Sequence, residues 1–406
     1  MTSLYQPRTL LLTEREPRIV RLSSADVAFL LEHHRGHVEV LPTGRRHLYR
    51  LMALGCAGVL VAPTSRFVIR PKIPLANVFA MLDPLAAVSP QDDSVSLRKG
   101  TEILEFLAGQ LVRLMAERIA VGLHRTYRER CERGSLLHGQ LDLPAQLREA
   151  PGRKDQLHSR YDELTADGAC HRVVKAMAEA LLVSPLLGAE VCAALHRALA
   201  GYADASSVPL SARLWDAAVA ERMPEEYRPL LDLCRLLTDS LMPADAAGPM
   251  PAPSFLLDLE RVFERYIARG IVAAFAHSRK YTVGVQTTHT VNRIDSGLPD
   301  VTVCPDVTID REGRTVVVVD TKWKRWRGSA ERGDLYQMLA YGTTLGTERV
   351  ALVYPGKRWD ACEYRFTHTP LRLTVYVLPV GGTRAVCLRS VRRLARALKV
   401  NANTPP

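Results

Sequence analysis

The sequence predicts a multidomain α+β protein. It has a β-rich or mixed N-terminal module, a helical middle region, and a C-terminal α/β core with a mixed central sheet flanked by helices. Three observations carry this. Residues 1–95 alternate short apolar runs with Pro and Gly, as in Gly58-Val-Leu-Val-Ala62 and Arg66-Phe-Val-Ile-Arg70. Residues 167–241 place apolar side chains at helical spacing in pieces broken near Pro185, Pro209 and Pro224. The four valines Val316 to Val319 are too apolar and too β-branched to be anything but a buried strand.

In order, residues 1–95 form the first module and 96–241 the second region. The second region opens with one long amphipathic helix over 97–130, carried by Ile103, Leu104, Leu107, Leu111 and Leu114. Residues 135–147 and 157–165 read as strands or a ribbon, and the proline-broken helices follow. A Pro-rich linker occupies 242–254. The core, 255–406, begins with a helix over 255–277, then strands near 281–288, 301–309 and 315–322. A helix over 330–343, strands near 349–354 and 372–379, and a basic amphipathic helix from Arg389 to Lys399 complete it.

Chemistry gathers in that core. Asp310-Arg-Glu-Gly-Arg314 reads as a hairpin turn, so the strands on either side pair antiparallel. Asp320 and Lys322 then point to one side with Thr321 turned back, and Asp306 arrives at the same end of the ladder. Two carboxylates and an ammonium can hold a divalent cation beside a phosphodiester: Mg²⁺, with Mn²⁺ as the alternative, takes one or two carboxylates and keeps waters. A lysine two residues on orients the attacking water or neutralises developing charge. A lone Asp-x-Lys is usually a solvated hairpin. Here a valine strand precedes it, and Asp334-Leu-Tyr-Gln-Met-Leu-Ala-Tyr-Gly342 follows, with Gln337 and Tyr341 on one helical face and Gly342 as terminator. Asp300 repeats the Pro-Asp pair, but only Asp306 has the apolar–polar pattern and hairpin length after it. Glu264 has two readings: a ligand to the same metal, or a partner of Arg261 or Arg265. Asp334 reads as a helix N-cap. Trp323 and Trp326, among Lys324, Arg325 and Arg327, either stack on nucleic acid or form ordinary surface.

The Asp-x-Lys strand followed by a Gln-x-x-x-Tyr helix resembles the PD-(D/E)xK nuclease superfamily in its RecB-like form. The Asp-Thr-Lys-Trp-Lys and Asp-Leu-Tyr-Gln-Met-Leu-Ala-Tyr strings are similar to those of the McrC family, the nuclease subunits of modification-dependent restriction systems. So are Val68-Ile-Arg-Pro-Lys-Ile73 with Asn77 and Met81-Leu82, the 134–142 segment, and Tyr161-Asp-Glu-Leu-Thr165. The resemblance implies a Mg²⁺-dependent endonuclease acting on double-stranded DNA, with Asp306, Asp320, Lys322, Gln337 and Tyr341 as catalytic residues and Asp306, Asp320 and Glu264 toward the metal. It implies as partner a McrB-like AAA+ GTPase hexamer, engaged and stimulated through the N-terminal half. The other class of reading is a non-catalytic adaptor of such a ring with a decayed nuclease domain. The intact charged set argues against decay, since folding does not demand those charges at a strand end.

Composition sets the outer limits. The chain has 406 residues and 45.1 kDa, room for two or three domains. Its net charge of +11 favours a polyanionic partner. No apolar run approaches the roughly 18 residues that span a bilayer. No exported leader is evident, and eight scattered cysteines without Cys-x-x-Cys read as reduced thiols, so a cytoplasmic location is expected. No phosphate-binding loop of the Gly-x-x-x-x-Gly-Lys type occurs, so nucleotide hydrolysis is expected of a partner. His33, His34 and His37 lack a second ligand cluster and read as a solvated helix end.

Overall fold

The computed structural model describes residues 8–82, 101–149, 152, 155–242, 254–292 and 301–403, and it is an α+β structure with several mixed sheets. Two compact units emerge: Met1–Gly100 together with Leu256–Pro406, and Thr101–Phe255.

The larger unit is organised by a six-stranded mixed sheet in the order Tyr281–Val285, Val307–Arg311, Arg314–Thr321, Arg349–Gly356, Arg372–Pro379, Asp360–Arg365. The valine strand Arg314–Thr321 lies inside it, antiparallel to Val307–Arg311 and parallel to Arg349–Gly356. Burial on both faces explains its unbroken apolar run: Val317, Val318 and Val319 are all buried. The hairpin closes tightly, with Arg311 opposite Arg314 and positive φ at both Glu312 and Gly313, the turn whose twist suits paired strands. The crossover to the next parallel strand is the helix Arg332–Leu345, which seats Met338 and Tyr341 on Val318, Val350 and Leu352.

A second sheet begins with Arg8–Thr13 parallel to Ser65–Arg70, which pairs antiparallel with Cys56–Val61. A small antiparallel sheet orders Arg18–Arg21, Leu48–Ala53 and Val38–Pro42, beside the helix Ser24–His33 capped by Ser23. These N-terminal elements bond directly to the six-stranded region. Asn77 Nδ2 donates to the carbonyls of Val380 at 2.5 Å and Gly382 at 2.7 Å, and Trp323 Nε1 donates to Glu14 Oε1 at 2.7 Å. Residues 1–95 and 255–406, separate in the sequence reading, therefore pack as one unit. Their buried polar groups satisfy each other across more than 300 positions, separations of 303 and 309, which composition cannot reveal.

In the other unit the helix Glu102–Val121 ends at Gly122, φ +92, short of the expected 130. Residues Thr126–Gly134 instead pair antiparallel with Leu157–Thr165 over nine register positions, Thr126↔Thr165 to Gly134↔Leu157. The expected ribbon at 135–147 is a short strand, Gln140–Leu141, and a helix, Leu143–Glu149. Helices Ala169–Val183, Ala189–Ala200, Ala212–Ala220 and Arg228–Ser240 break where prolines stand.

Smaller differences have local causes. The helix expected from 255 starts at Leu259, because Ser254–Asp258 is a strand and Asp258 caps the helix through the amides of Glu260 and Arg261. Pro305, which has no N–H for a ladder, separates Val301–Val303 from Val307–Arg311. The helix terminator is Gly346, φ +61, rather than Gly342, where an added Cβ would stand 2.4 Å from Leu371. Most of the expected 242–254 linker lies outside the described residues, as does Asp300.

Candidate active site

The valine strand delivers Asp320, 3% exposed, to the edge of the six-stranded sheet, and the backbone of Lys322 is held by an N–H bond to Val353 O of 2.9 Å. Lys322 Nζ donates to Gln337 Oε1 at 2.7 Å and stands 2.7 Å from Asp320 Oδ2. Gln337 Nε2 donates to Tyr341 OH at 2.8 Å, and that hydroxyl donates to Cys304 O at 3.3 Å. One relay thus runs from the strand carboxylate through the ammonium to the helix. Residues four apart share a helical face, which is how Gln337 and Tyr341 both reach it.

Asp306 is brought to the same end by the hairpin register, Val307 opposite Val319. Its Oδ2 accepts from the backbone N–H of Thr321 at 2.6 Å and from Thr321 Oγ1 at 2.7 Å. Thr321 was missed in the sequence; its only signal was a hydroxyl on the strand face opposite Asp320 and Lys322. Glu264, on the helix Leu259–Phe275, accepts from Gln286 Nε2, and Gln286 N–H in turn bonds Asp306 O at 3.0 Å. Glu264, Asp306, Asp320, Lys322, Gln337 and Tyr341 line one cleft.

The cleft concentrates unfavourable negative charge. Burial, and then the Asp306 and Asp320 carboxylates, push Glu264 up to about 7. Burial and Asp306 push Asp320 up to about 6 against the pull of Lys322, and burial raises Asp306. Burial pushes the Tyr341 phenol up to about 12, so it serves as a hydrogen-bond donor.

Asp320 Oδ2 is buried, and the group that meets it is the Lys322 ammonium at 2.7 Å. One ammonium beside three mutually repelling carboxylates, Glu264, Asp306 and Asp320, leaves negative charge that fits a cation. Among the described residues no three His, Cys, Asp or Glu side chains converge tightly enough to encage an ion alone. Mg²⁺ does not need that, since it is held through one or two carboxylates with waters completing its shell. Asp306 and Asp320, with Glu264 on the cleft wall, meet this lesser requirement.

Other expectations resolve differently. Trp323 is 2% exposed, packed on Phe263 with ring centroids 5.2 Å apart and covered by Lys72 Nζ at 4.4 Å from its ring centroid, so it cannot stack on nucleic acid. Half-buried Trp326 lies 5.1 Å from Tyr354 between ring centroids. Asp334 is not the N-cap, a place taken by Glu331; it pairs with Lys324 at 2.8 Å and accepts from Tyr354 OH. His34 is buried rather than solvated, and burial with its neighbours His37 and His33 lowers its pKa to about 4.

A family model described as "McrBC 5-methylcytosine restriction system component" matches residues 51–355. No curated protein matches the sequence. Among solved structures, one described as a refined half-complex from a tetradecameric assembly of Thermococcus gammatolerans McrB AAA+ hexamers with bound McrC aligns at 16% identity. It covers 96% of this chain and 100% of its own, with a TM-score of 0.56. A Thermococcus gammatolerans McrBC complex, at 16% identity over 67% of this chain and 89% of its own, has a TM-score of 0.43. The described residues contain no helix long and apolar enough to cross a membrane. With the family model spanning most of its length, this chain belongs to the McrBC 5-methylcytosine restriction system component family.

Proposed function

We propose that this chain is the Mg²⁺-dependent DNA endonuclease subunit of a McrBC-type restriction complex, with a PD-(D/E)xK core. The observation that carries the reading is the relay from Asp320 through Lys322 and Gln337 to Tyr341, with Asp306 across the hairpin. Asp306 and Asp320, with Glu264 beside them, would hold the metal. When bound, Mg²⁺ supplies Lewis-acid charge at phosphorus and a more acidic water. Gln337 holds the Lys322 ammonium at the strand end, where it can orient a water or stabilise charge building on the phosphate. The buried Asp320 cannot turn away, and Thr321 fixes Asp306 through two hydrogen bonds. The partner is an AAA+ McrB-type GTPase that brings the chain to duplex DNA and whose turnover the chain stimulates; the likeness to an assembly of McrB AAA+ hexamers with bound McrC supports the AAA+ partner.

The test is cleavage of modified duplex DNA with the GTPase partner, GTP and Mg²⁺. Asp320→Ala and Lys322→Ala each lower the cleavage rate by roughly a thousandfold, the scale of losing one preorganised charge, while partner binding stays near that of the parent. Cutting at the parent rate by Asp320→Ala overturns the assignment.

A further inference from the structure

The positive charge of this chain is unevenly distributed. Of 54 basic and 43 acidic residues, the last 43 residues (364–406) hold eight basic and no acidic ones. The preceding 363 residues therefore carry 46 basic and 43 acidic groups, a net of +3, and eight of the eleven net charges are C-terminal.

Half of those eight charges form one stripe. The helix Arg384–Asn403 buries Cys387, Ser390, Val391, Leu394, Ala395, Leu398 and Ala402 and leaves Arg389, Arg392, Arg393 and Arg396 exposed. Positions three, four and seven apart lie on one face. None of the four forms an ion pair with a described residue, so no described carboxylate neutralises their charge directly. Arg393 is steadied by Trp359, its guanidinium carbon 4.4 Å from the ring centroid. The exposed Lys357 and Arg358 adjoin Trp359 in the chain.

Topology relates this stripe to the candidate active site. Arg349–Gly356 and Arg372–Pro379 run parallel to the valine strand, so their C-terminal ends share the sheet edge where Asp320 stands. Lys357 and Arg358 leave from the first of these ends, and the arginine helix follows the second. From 389 to 396 the helix advances about 10 Å, along which one DNA strand presents about three phosphates.

We propose that the face bearing Arg389, Arg392, Arg393 and Arg396 binds the phosphate backbone of duplex DNA and leads it to the Asp306/Asp320 cleft. The inference rests on the nuclease reading for the identity of its ligand. Guanidinium groups pair with phosphate oxygens in a bidentate fork, and an exposed all-arginine stripe with no ion-paired carboxylate among the described residues fits a polyanion.

The test uses the full chain and an unmodified 30-base-pair duplex in EDTA, with affinity followed by fluorescence anisotropy across a salt series. The triple variant Arg389→Gln, Arg392→Gln, Arg396→Gln, which spares the stacked Arg393, weakens binding by roughly a hundredfold near 0.1 M salt. It also reduces the log–log salt slope by about 2 to 3. A control triple at the exposed Arg45, Arg46 and Arg50, each to Gln, leaves the slope unchanged. Equal loss in both triples overturns the proposal, as does an unaltered slope in the first. Intact duplex binding with lost association to the GTPase partner overturns it too, assigning the face to a protein. Affinity in EDTA, where no cleavage occurs, reads the stripe alone, and cleavage in Mg²⁺ reads the catalytic assignment, so the two failures register separately.

Discussion

Gln337 joins the helix to the strand with an amide whose two ends do different work: its oxygen accepts from Lys322 and its nitrogen donates to Tyr341. Replacing it by Leu leaves Lys322 with Asp320 alone and the Tyr341 hydroxyl with Cys304 O alone. A hydrogen bond to a charged group contributes about 1.5–3 kcal/mol. Gln337→Leu is therefore expected to slow cleavage roughly ten- to a hundredfold, while the Mg²⁺ concentration giving half-maximal rate stays where it was, because no carboxylate is lost. A melting curve on the same preparation separates this from packing: an unimpaired rate with a raised melting temperature would mean the amide is scaffold. A different residue sets a pH dependence. His34 is buried, and its pKa of about 4 lies below the ordinary 6.5. The unfolded chain then binds the proton more tightly, so stability attributable to this group is complete above 6.5 and declines as pH falls toward 4. Denaturant melts between pH 7 and 4.5 should show a shallower decline for His34→Gln than for the parent; identical slopes would dismiss the histidine.

The turn Glu312-Gly313 and a one-residue register shift between Ile309 and Asp310 together set where the side chains of the valine strand point. The turn starts the pairing at Arg311 and Arg314, and the shift then places Val307 opposite Val319, which brings Asp306 level with Asp320 and Thr321. Nothing lies within 4 Å of a Cβ added at Gly313, so Gly313→Ala suffers only from the left-handed backbone. The expected loss is about 1 kcal/mol in stability with unchanged cleavage per folded molecule; reduced cleavage without lost stability would show that the turn does more than set register. This hairpin, the strand and the Gln-x-x-x-Tyr helix were legible in the sequence because each is built from local rules: a turn dipeptide, β-branching, a 3.6-residue period. The edge strand Asp360–Arg365 escaped notice although Cys362 and Tyr364 alternate with Glu363 and Arg365 and pack on the core, because the alternation is short and half its positions are charged. The helix ends at Val121, before Gly122, and the expectation ran on to 130 because the charged residues of the ribbon mimic a helix surface. Trp323 looked like a nucleic-acid platform from its basic neighbours, whereas its environment is decided by Glu14 and Lys72, more than 250 positions away, separations of 309 and 251.

At the scale of the whole molecule, those distant partners decide what can be cut apart. The Pro-rich stretch near 242–254 suggests that residues after it could stand alone. Within the larger unit, however, Trp323 Nε1 is buried and relies on Glu14, whose carboxylate is raised by burial and held by Lys72 at 3.5 Å. Asn77 satisfies the carbonyls of Val380 and Gly382, and Arg269 donates to those of Met81 and Leu82. Excising 256–406 would strand each of these groups, at about 1–3 kcal/mol for a buried donor or acceptor left unpaired. Such losses approach the whole stability of an ordinary domain. The fragment 256–406 alone is thus expected to show no cooperative thermal transition. Co-expression with 1–100 should restore both solubility and a transition, whereas co-expression carrying Glu14→Ala should restore them poorly. The segment 101–255, compact by itself, should melt cooperatively when expressed alone. A sharp melt for 256–406 in isolation would show that the N-terminal strands cover a core they do not complete, and the cleft could then be studied without them.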